Sequence, residues 1–386
     1  MSKKLSTLGV GTTFEVPVKS AYRSFLGDYV VFKMADKNHS GYPSGAITLI
    51  TDKIIALLCS DAKEPNNSDS NRRSYGNNRH IHSNILQWLN SNAAAGKWYS
   101  AKHGQDAPPS SANVWDNVNP YDTWAGFLAM LDDDFVAALM TTTLTVAKNT
   151  VTDGGSYETF TAKMFLASTT EVGLANENGI AEGSKLALFS DNTSRLAYCT
   201  QAAIDKSNYG SDPTTSQAWY WWLRTPHSGS SYSVRNVSAS GALDSSGACY
   251  GDWGVRPLCA LKSDILVSYD EDEVNERKPS FGEMIGKALA EGLNKAIFGE
   301  GEEPKGILAE VEAQAAREKE QKDEEQKRAD AVDMMKHIAA AFDIPATIGE
   351  GKQEEQEKEA KQLFGWYSEL KKAGFTDAQA FELIKG

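Results

Sequence analysis

Apolar residues over positions 29–59 come in short runs rich in β-branched and aromatic types: "YVVFKMA", then the turn "HSGYPSG", then "AITLITDKIIALLCS". Runs of this length, punctuated by Gly and Pro, predict an opening β-meander. The following "DAKEPNNSDSNRRSYGNNRHIH" has no apolar run and predicts a solvent-facing surface loop. It leads into "SNILQWLNSN", where Ser83 is placed to cap a short helix that turns Ile85, Leu86, Trp88 and Leu89 inward. Residues 127–140, "FLAMLDDDFVAALM", predict a second helix, and "AKMFLAST" a short buried strand.

The pattern changes at "LKSDILVSYDEDEVNERKPS", whose acidic, Pro-terminated residues 269–280 read as a linker. Beyond it the periodicity is helical. Ser280 and Glu283 form a capping box, and Phe281, Ile285, Leu289, Leu293 and Ile297 recur every four residues. A polar helix over 307–342 and a C-terminal helical hairpin complete the expectation. The predicted class is α+β: a mixed domain over residues 1–268, then an all-α helical tail over 281–386.

Between these parts stands "WWLRTPHSGSSYSVRNVSASGALDSSGACYGDWGVRPLC", residues 221–259. Trp219, Trp221, Trp222 and Leu223 supply an apolar anchor, and Arg224 and Arg256 flank a polar insert. Both arginines sit beside prolines or aromatics, where a guanidinium satisfies backbone carbonyls more readily than it holds a ligand. The insert predicts a hairpin turning at Ser240-Gly241, with "GVRPLCAL" returning as a last strand. Its displayed residues are the types binding loops favour: Tyr and Trp for rigid contact area, Ser, Gly and Asn for adaptable hydrogen bonds. The candidate ligand-binding set is Tyr232, Ser233, Arg235, Asn236, Ser238, Ser240, Asp244, Ser245, Ser246, Cys249, Tyr250, Asp252 and Trp253. Tyr232, Tyr250 and Trp253 are its expected apolar anchors, with Asp244 and Asp252 tuning charge.

Charge narrows the partners. The net charge is −13, more than half of it on residues 281–386, and no basic stripe is present to meet phosphate backbones. Nucleic acid is therefore not an expected partner. No apolar stretch suits a signal peptide or a membrane span, so synthesis in a cytoplasm without membrane insertion is expected. The four cysteines show neither CxxC spacing nor disulfide-scaffold density, and Cys59 and Cys259 read as small buried hydrophobes.

"WYWWLRTP", "VRNVSASGAL" and "GVRPLCALKSDILVS", with the upstream "ILQWLNS" and "KMFLASTTEV", resemble the DUF6273 family of bacterial and phage proteins over about residues 20–268. The resemblance implies a C-type-lectin-like fold akin to formylglycine-generating-enzyme domains. The insert also resembles the variable region of lectin-fold proteins diversified by phage-borne retroelements, where mutated asparagine codons yield Ser, Asp, Tyr, Cys, Gly and Arg. These likenesses imply a non-enzymatic virion surface protein that binds a host cell-surface protein or glycan without a cofactor. The tail is then expected to join other virion proteins or further copies of the chain in a homo-oligomer. A structural virion decoration without receptor binding is the alternative of a different class.

Three other chemistries have weaker footing. Cys249 and Cys259 invite comparison with the oxidases of that fold, but "GACYGDWGVRPLC" does not match their pattern and no activating base is evident. His80 and His82 have no carboxylate or thiol at ligand spacing and read as solvated loop residues. "EPN" at 64–66 and "WDN" at 115–117 echo lectin calcium motifs, yet both lie far ahead of the tryptophan–arginine frame and read as polar turns.

Overall fold

A computed structural model describes residues 2–210, 213–264 and 266–268. The helical tail, its linker and its assembly role lie outside these described residues. Within them the strands run β1 (Ser2–Lys4), β2 (Thr13–Pro17), β3 (Tyr29–Lys37), β4 (Ala46–Thr51), β5 (Ala56–Leu57), β6 (Leu139–Met140), β7 (Thr142–Ala147) and β8 (Tyr157–Ala162). They continue as β9 (Met164–Phe165), β10 (Trp221–Pro226), β11 (Ser233–Val237), β12 (Leu243–Gly247), β13 (Gly254–Val255), β14 (Leu258–Lys262) and β15 (Leu266–Ser268). Short helices are interspersed, so the described domain is a β-rich α+β structure.

Of the meander expected over residues 29–59, β3 and β4 pair antiparallel, but β5 belongs to the second sheet, and the strand on the other side of β3 is β2, which lies ahead of that stretch. Period-two alternation in β3 sends Val30, Phe32 and Met34 inward, and a bulge after Met34 brings Ala35 in as well. All six residues of β4 are buried, as its continuous apolar run implies for a central strand. Ile47 and Leu49 enter one core cluster and Ile50 the other, so this sheet is covered on both faces. β14 pairs with β4 and closes the sheet, while β6 and β9 pair along the other side of β14.

The second sheet has the order β12-β11-β10-β13-β5. Its central β10, Trp221–Pro226, is buried throughout. Trp221 and Leu223 join one cluster and Trp222 the other, which is the alternation expected of a strand packed on both faces. "GVRPLCAL" does not make one strand. Arg256 and Pro257 separate β13 from β14, and the two belong to different sheets. β7 and β8 form a separate hairpin, and β1 pairs with β15, bringing residues 2–4 beside 266–268.

Ser83 caps Asn84–Leu89 as expected, its hydroxyl accepting from the Leu86 N–H, and Ile85, Trp88 and Leu89 are buried. The helix expected over 127–140 is broken into Phe127–Met130 and Asp133–Ala138. Leu131 bridges to Val18 in extended conformation, and Asp132 accepts from the Phe135 N–H as the cap of the second piece.

Residues 61–82 correct the surface-loop expectation. Asp61, Glu64, Asn77, Asn78 and His80 are buried there, and Ser70–Tyr75 forms a helix capped by Asp69. The polar groups turn inward because they satisfy one another. Asp61 accepts from the backbone of Asn77 and Asn84, and Glu64 accepts from the Asn77 amide and faces His103 Nε2 at 2.8 Å. Burial, with Glu64 and Asp106 nearby, holds the Asp61 carboxyl well above its ordinary range. His80 is sealed against Phe160 rather than solvated.

Candidate functional site

The frame around the insert is rigid. The Trp222 indole N–H donates to the Leu58 carbonyl at 2.8 Å and that of Trp221 to the Arg195 carbonyl at 3.0 Å. Arg224 meets the Glu171 carboxylate through two nitrogens, at 2.6 and 2.8 Å, and donates to the carbonyls of Leu166 and Glu182. Arg256 donates to the carbonyls of Thr51 and Asp52 and lies 5.2 Å from the Trp221 ring centre. Burial lowers its pKa to about 10, opposed by the nearby Asp52 charge. Both arginines fasten backbone, as expected.

The hairpin between them is β11 and β12 in regular antiparallel register. Its turn is longer than the expected two residues. The Ser238 N–H donates to the Ala242 carbonyl, leaving Ala239, Ser240 and Gly241 as the loop. Gly241 has φ +78°, and a Cβ there would meet the Asn192 carbonyl oxygen at 2.1 Å, so only glycine fits.

Alternation divides the candidate residues between two faces. Arg235 pairs with Ser245 and Ser233 with Gly247, on the side opposite Asn236, Asp244 and Ser246. Arg235 is held by Glu177, whose carboxyl is also bonded by the Ser228 N–H. Ser238 and Ser240 bond one another at the hairpin tip. Asn236 and Cys249 are buried, which corrects their place in a displayed surface. Cys249 lies with its thiol toward the Ser74 carbonyl, and burial pushes that thiol up to about 12. Trp253 is half-buried and packs on Tyr220 and Trp222, with centroids at 4.5 and 5.6 Å, so part of its ring area is committed to the core.

Tyr232, Tyr250 and Asp252 converge with residues from distant parts of the chain. Tyr232 packs on Tyr75 at 4.9 Å, Tyr75 stacks on Trp115 at 5.7 Å, and Trp115 meets Tyr250 at 5.0 Å. Lys63 Nζ lies 5.0 Å from the Trp115 ring centre. At the Tyr250 end of this row, Trp115, Asp116, Val118, Tyr209, Tyr250, Gly251 and Asp252 line an open groove of about 250 Å³.

Asn119 knits the groove's three loops together. Its amide nitrogen donates to the Gly251 carbonyl and the Ser207 hydroxyl, both at 2.9 Å, and its oxygen accepts from the Asn208 N–H at 2.8 Å. Asp116, Asn117 and Asn119 all have positive φ, which turns the 115–119 segment sharply under the groove. Gly251 is required because a Cβ would lie 2.0 Å from the Val118 carbonyl oxygen.

Burial raises the Asp252 carboxyl above its ordinary value, opposed by its own backbone N–H and the Tyr209 hydroxyl. Among the described residues neither Asp116 nor Asp252 pairs with a cation. The groove therefore offers aromatic contact area beside two carboxylate acceptors. No group of three or more His, Cys, Asp or Glu is placed to hold a metal ion among the described residues. "EPN" is not displayed, since Glu64 is buried, whereas Asp116 of "WDN" does reach the groove. Tyr75, Val118, Asn119 and Tyr209 carry no local signal in the sequence, and Trp115 carries only that of "WDN".

Neither a curated protein nor a solved structure matches the chain. A family model, described as a domain of unknown function, matches residues 45–263 and spans every groove residue. The chain belongs to the DUF6273 family.

Proposed function

We propose that the chain is a non-enzymatic recognition protein, lectin-like in fold, borne on a phage particle and engaging a host cell-surface protein or glycan. The observation that carries this reading is the groove of Trp115, Asp116, Tyr209, Tyr250 and Asp252, set on a frame fastened by buried tryptophans and arginines. Half-buried aromatics beside acceptor groups on a rigid scaffold are the usual equipment of a recognition surface. The thiols of the oxidase alternative point the other way: burial pushes Cys249 up to about 12 and raises Cys259 as well, and a protonated, enclosed thiol is a poor nucleophile. If the insert is diversified, variation is accommodated at Tyr232, Asp244, Ser246, Tyr250 and Asp252 rather than at the enclosed Asn236 and Cys249.

The test is binding of the labelled full-length protein to a panel of bacterial cells, with Trp115→Ala/Tyr250→Ala as the comparison. Saturable binding to at least one strain should weaken by about tenfold or more in the variant, equivalent to 1.4 kcal/mol, while circular dichroism shows the variant still folded. Binding that survives the double substitution would overturn the groove as the contact surface.

A further inference from the structure

Long strands at sheet edges leave backbone donors and acceptors open to another chain, and folded proteins commonly blunt them with charge, proline or a bulge. Four edge strands of five or more residues occur among the described residues: β2, β7, β8 and β12. β2 carries Glu15 and ends in Pro17. β12 is also blunted, since Asp244 Oδ1 accepts the outward Ser245 N–H at 2.8 Å and the Gly247 carbonyl is taken by the Tyr250 N–H. β8 has no such device.

Its register fixes which groups are open. Lys148 donates to the Ser156 carbonyl, so the bonded pairs to β7 continue as Val146/Glu158, Leu144/Phe160 and Thr142/Ala162. The N–H and C=O groups of Tyr157, Thr159 and Thr161 therefore point away from β7, and no neighbouring group takes them among the described residues. On the far edge of β7 two outward groups are taken: Thr145 O accepts from Arg224, and the Ala147 N–H donates to Glu182.

The side chains agree with the backbone. Glu158, Phe160 and Ala162 turn toward the body, where Glu158 is bonded to Arg79 and Phe160 lies against His80. Tyr157, Thr159 and Thr161 are exposed and uncharged. Tyr157, at 55%, and Val151 in the loop before it, at 58%, are the two most exposed large hydrophobics among the described residues.

We infer that β8 is a self-association edge, pairing antiparallel with β8 of a second copy about a two-fold axis at Thr159. This occupant follows from the symmetry of the open groups: Thr159 faces its own counterpart and Tyr157 faces Thr161, with every outward N–H opposite an outward C=O. It also follows from charge. On a chain of net charge −13, the strip that meets its own copy carries no charge, and the one carboxylate of β8 is turned inward and paired with Arg79. The two hairpins join into one four-stranded sheet. The inference is independent of the groove and of the function proposed for it.

The test uses full-length protein at micromolar concentration, with mass measured by sedimentation and light scattering. Wild type should contain dimers that Thr159→Lys shifts to lower mass at unchanged circular dichroism. Thr159→Cys should form a covalent dimer on mild oxidation, because residues facing each other across such an axis are within disulfide reach and the four native thiols are buried. A wild type that stays monomeric overturns the inference. So does an assembly whose mass is unaltered by Thr159→Lys and in which Thr159→Cys gives no covalent dimer.

Discussion

The side-chain amide of Asn119 donates to the backbone carbonyl of Gly251 at 2.9 Å, joining segments 132 residues apart. Asn119 is 5% exposed, and its other bonds reach the 207–208 segment, so the groove is defined by one amide rather than by local chain stiffness. Asn119→Ala leaves several of these partners unsatisfied and is expected to lower stability by about 1–3 kcal/mol. Denaturant unfolding measures this loss, and cell binding should fall with it.

Tyr250 and Trp253 should separate binding from stability. Trp253 is packed on Tyr220 and Trp222, so Trp253→Ala is expected to cost about 2–4 kcal/mol, visible as a lower denaturant midpoint. Tyr250 lines the groove, and Tyr250→Ala should weaken ligand binding while lowering stability less than Trp253→Ala does. Equal losses of stability in the two variants would contradict the assignment of Trp253 to the core and Tyr250 to the groove.

Breaking the ion pair at Arg224 should be severe. Glu171 accepts from two guanidinium nitrogens, from the Tyr42 hydroxyl and from the Ser168 N–H, with both charged partners enclosed. Glu171→Ala leaves the guanidinium without that carboxylate, an expected loss of about 3–5 kcal/mol by equilibrium unfolding.

His80 should impose an acid limit. Burial, aided by the Arg224 charge, lowers its pKa from 6.5 to about 3, so the folded state keeps the ring neutral while the unfolded chain takes up a proton. The stability held by the neutral ring is present above pH 6.5 and is lost as pH falls from there toward about 3, by at most about 1.4 kcal/mol per pH unit. His80→Phe removes this contribution and keeps the contact with Phe160. Unfolding measured from pH 7 to 4 should be less steep in acid for the variant, and parallel curves would refute the assignment.

What could be read from the sequence follows from how local each determinant is. The Ser83 cap, the pairing of β3 with β4 and the buried arginines were legible because their causes lie within a few residues: a hydroxyl before an apolar run, β-branched alternation, a guanidinium among aromatics. The 61–82 segment was not, because its polarity resembles that of a solvated loop. Its carboxylates and amides bond one another and Asn84, an arrangement composition does not reveal. The groove was half legible. Tyr250 and Asp252 stood in a recognisable insert, whereas Trp115 and Tyr209 reach them only through contacts fixed by the Asn119 hub. The displayed face was misjudged at Asn236 and Cys249, since a polar or small residue type does not disclose which way a strand turns Asn236 or that the turn after β12 tucks Cys249 against Tyr75.

The register of β11 against β12 also bears on evolvability. Random alteration between positions 233 and 247 samples two opposite surfaces in turn, one of which binds the Glu177 segment. Tolerance should therefore be lopsided between the two strands: β11 encloses Val234, Asn236 and Val237, whereas Asp244 and Ser246 of β12 are not enclosed, so that a library confined to those two explores new specificities while leaving the Glu177 face intact.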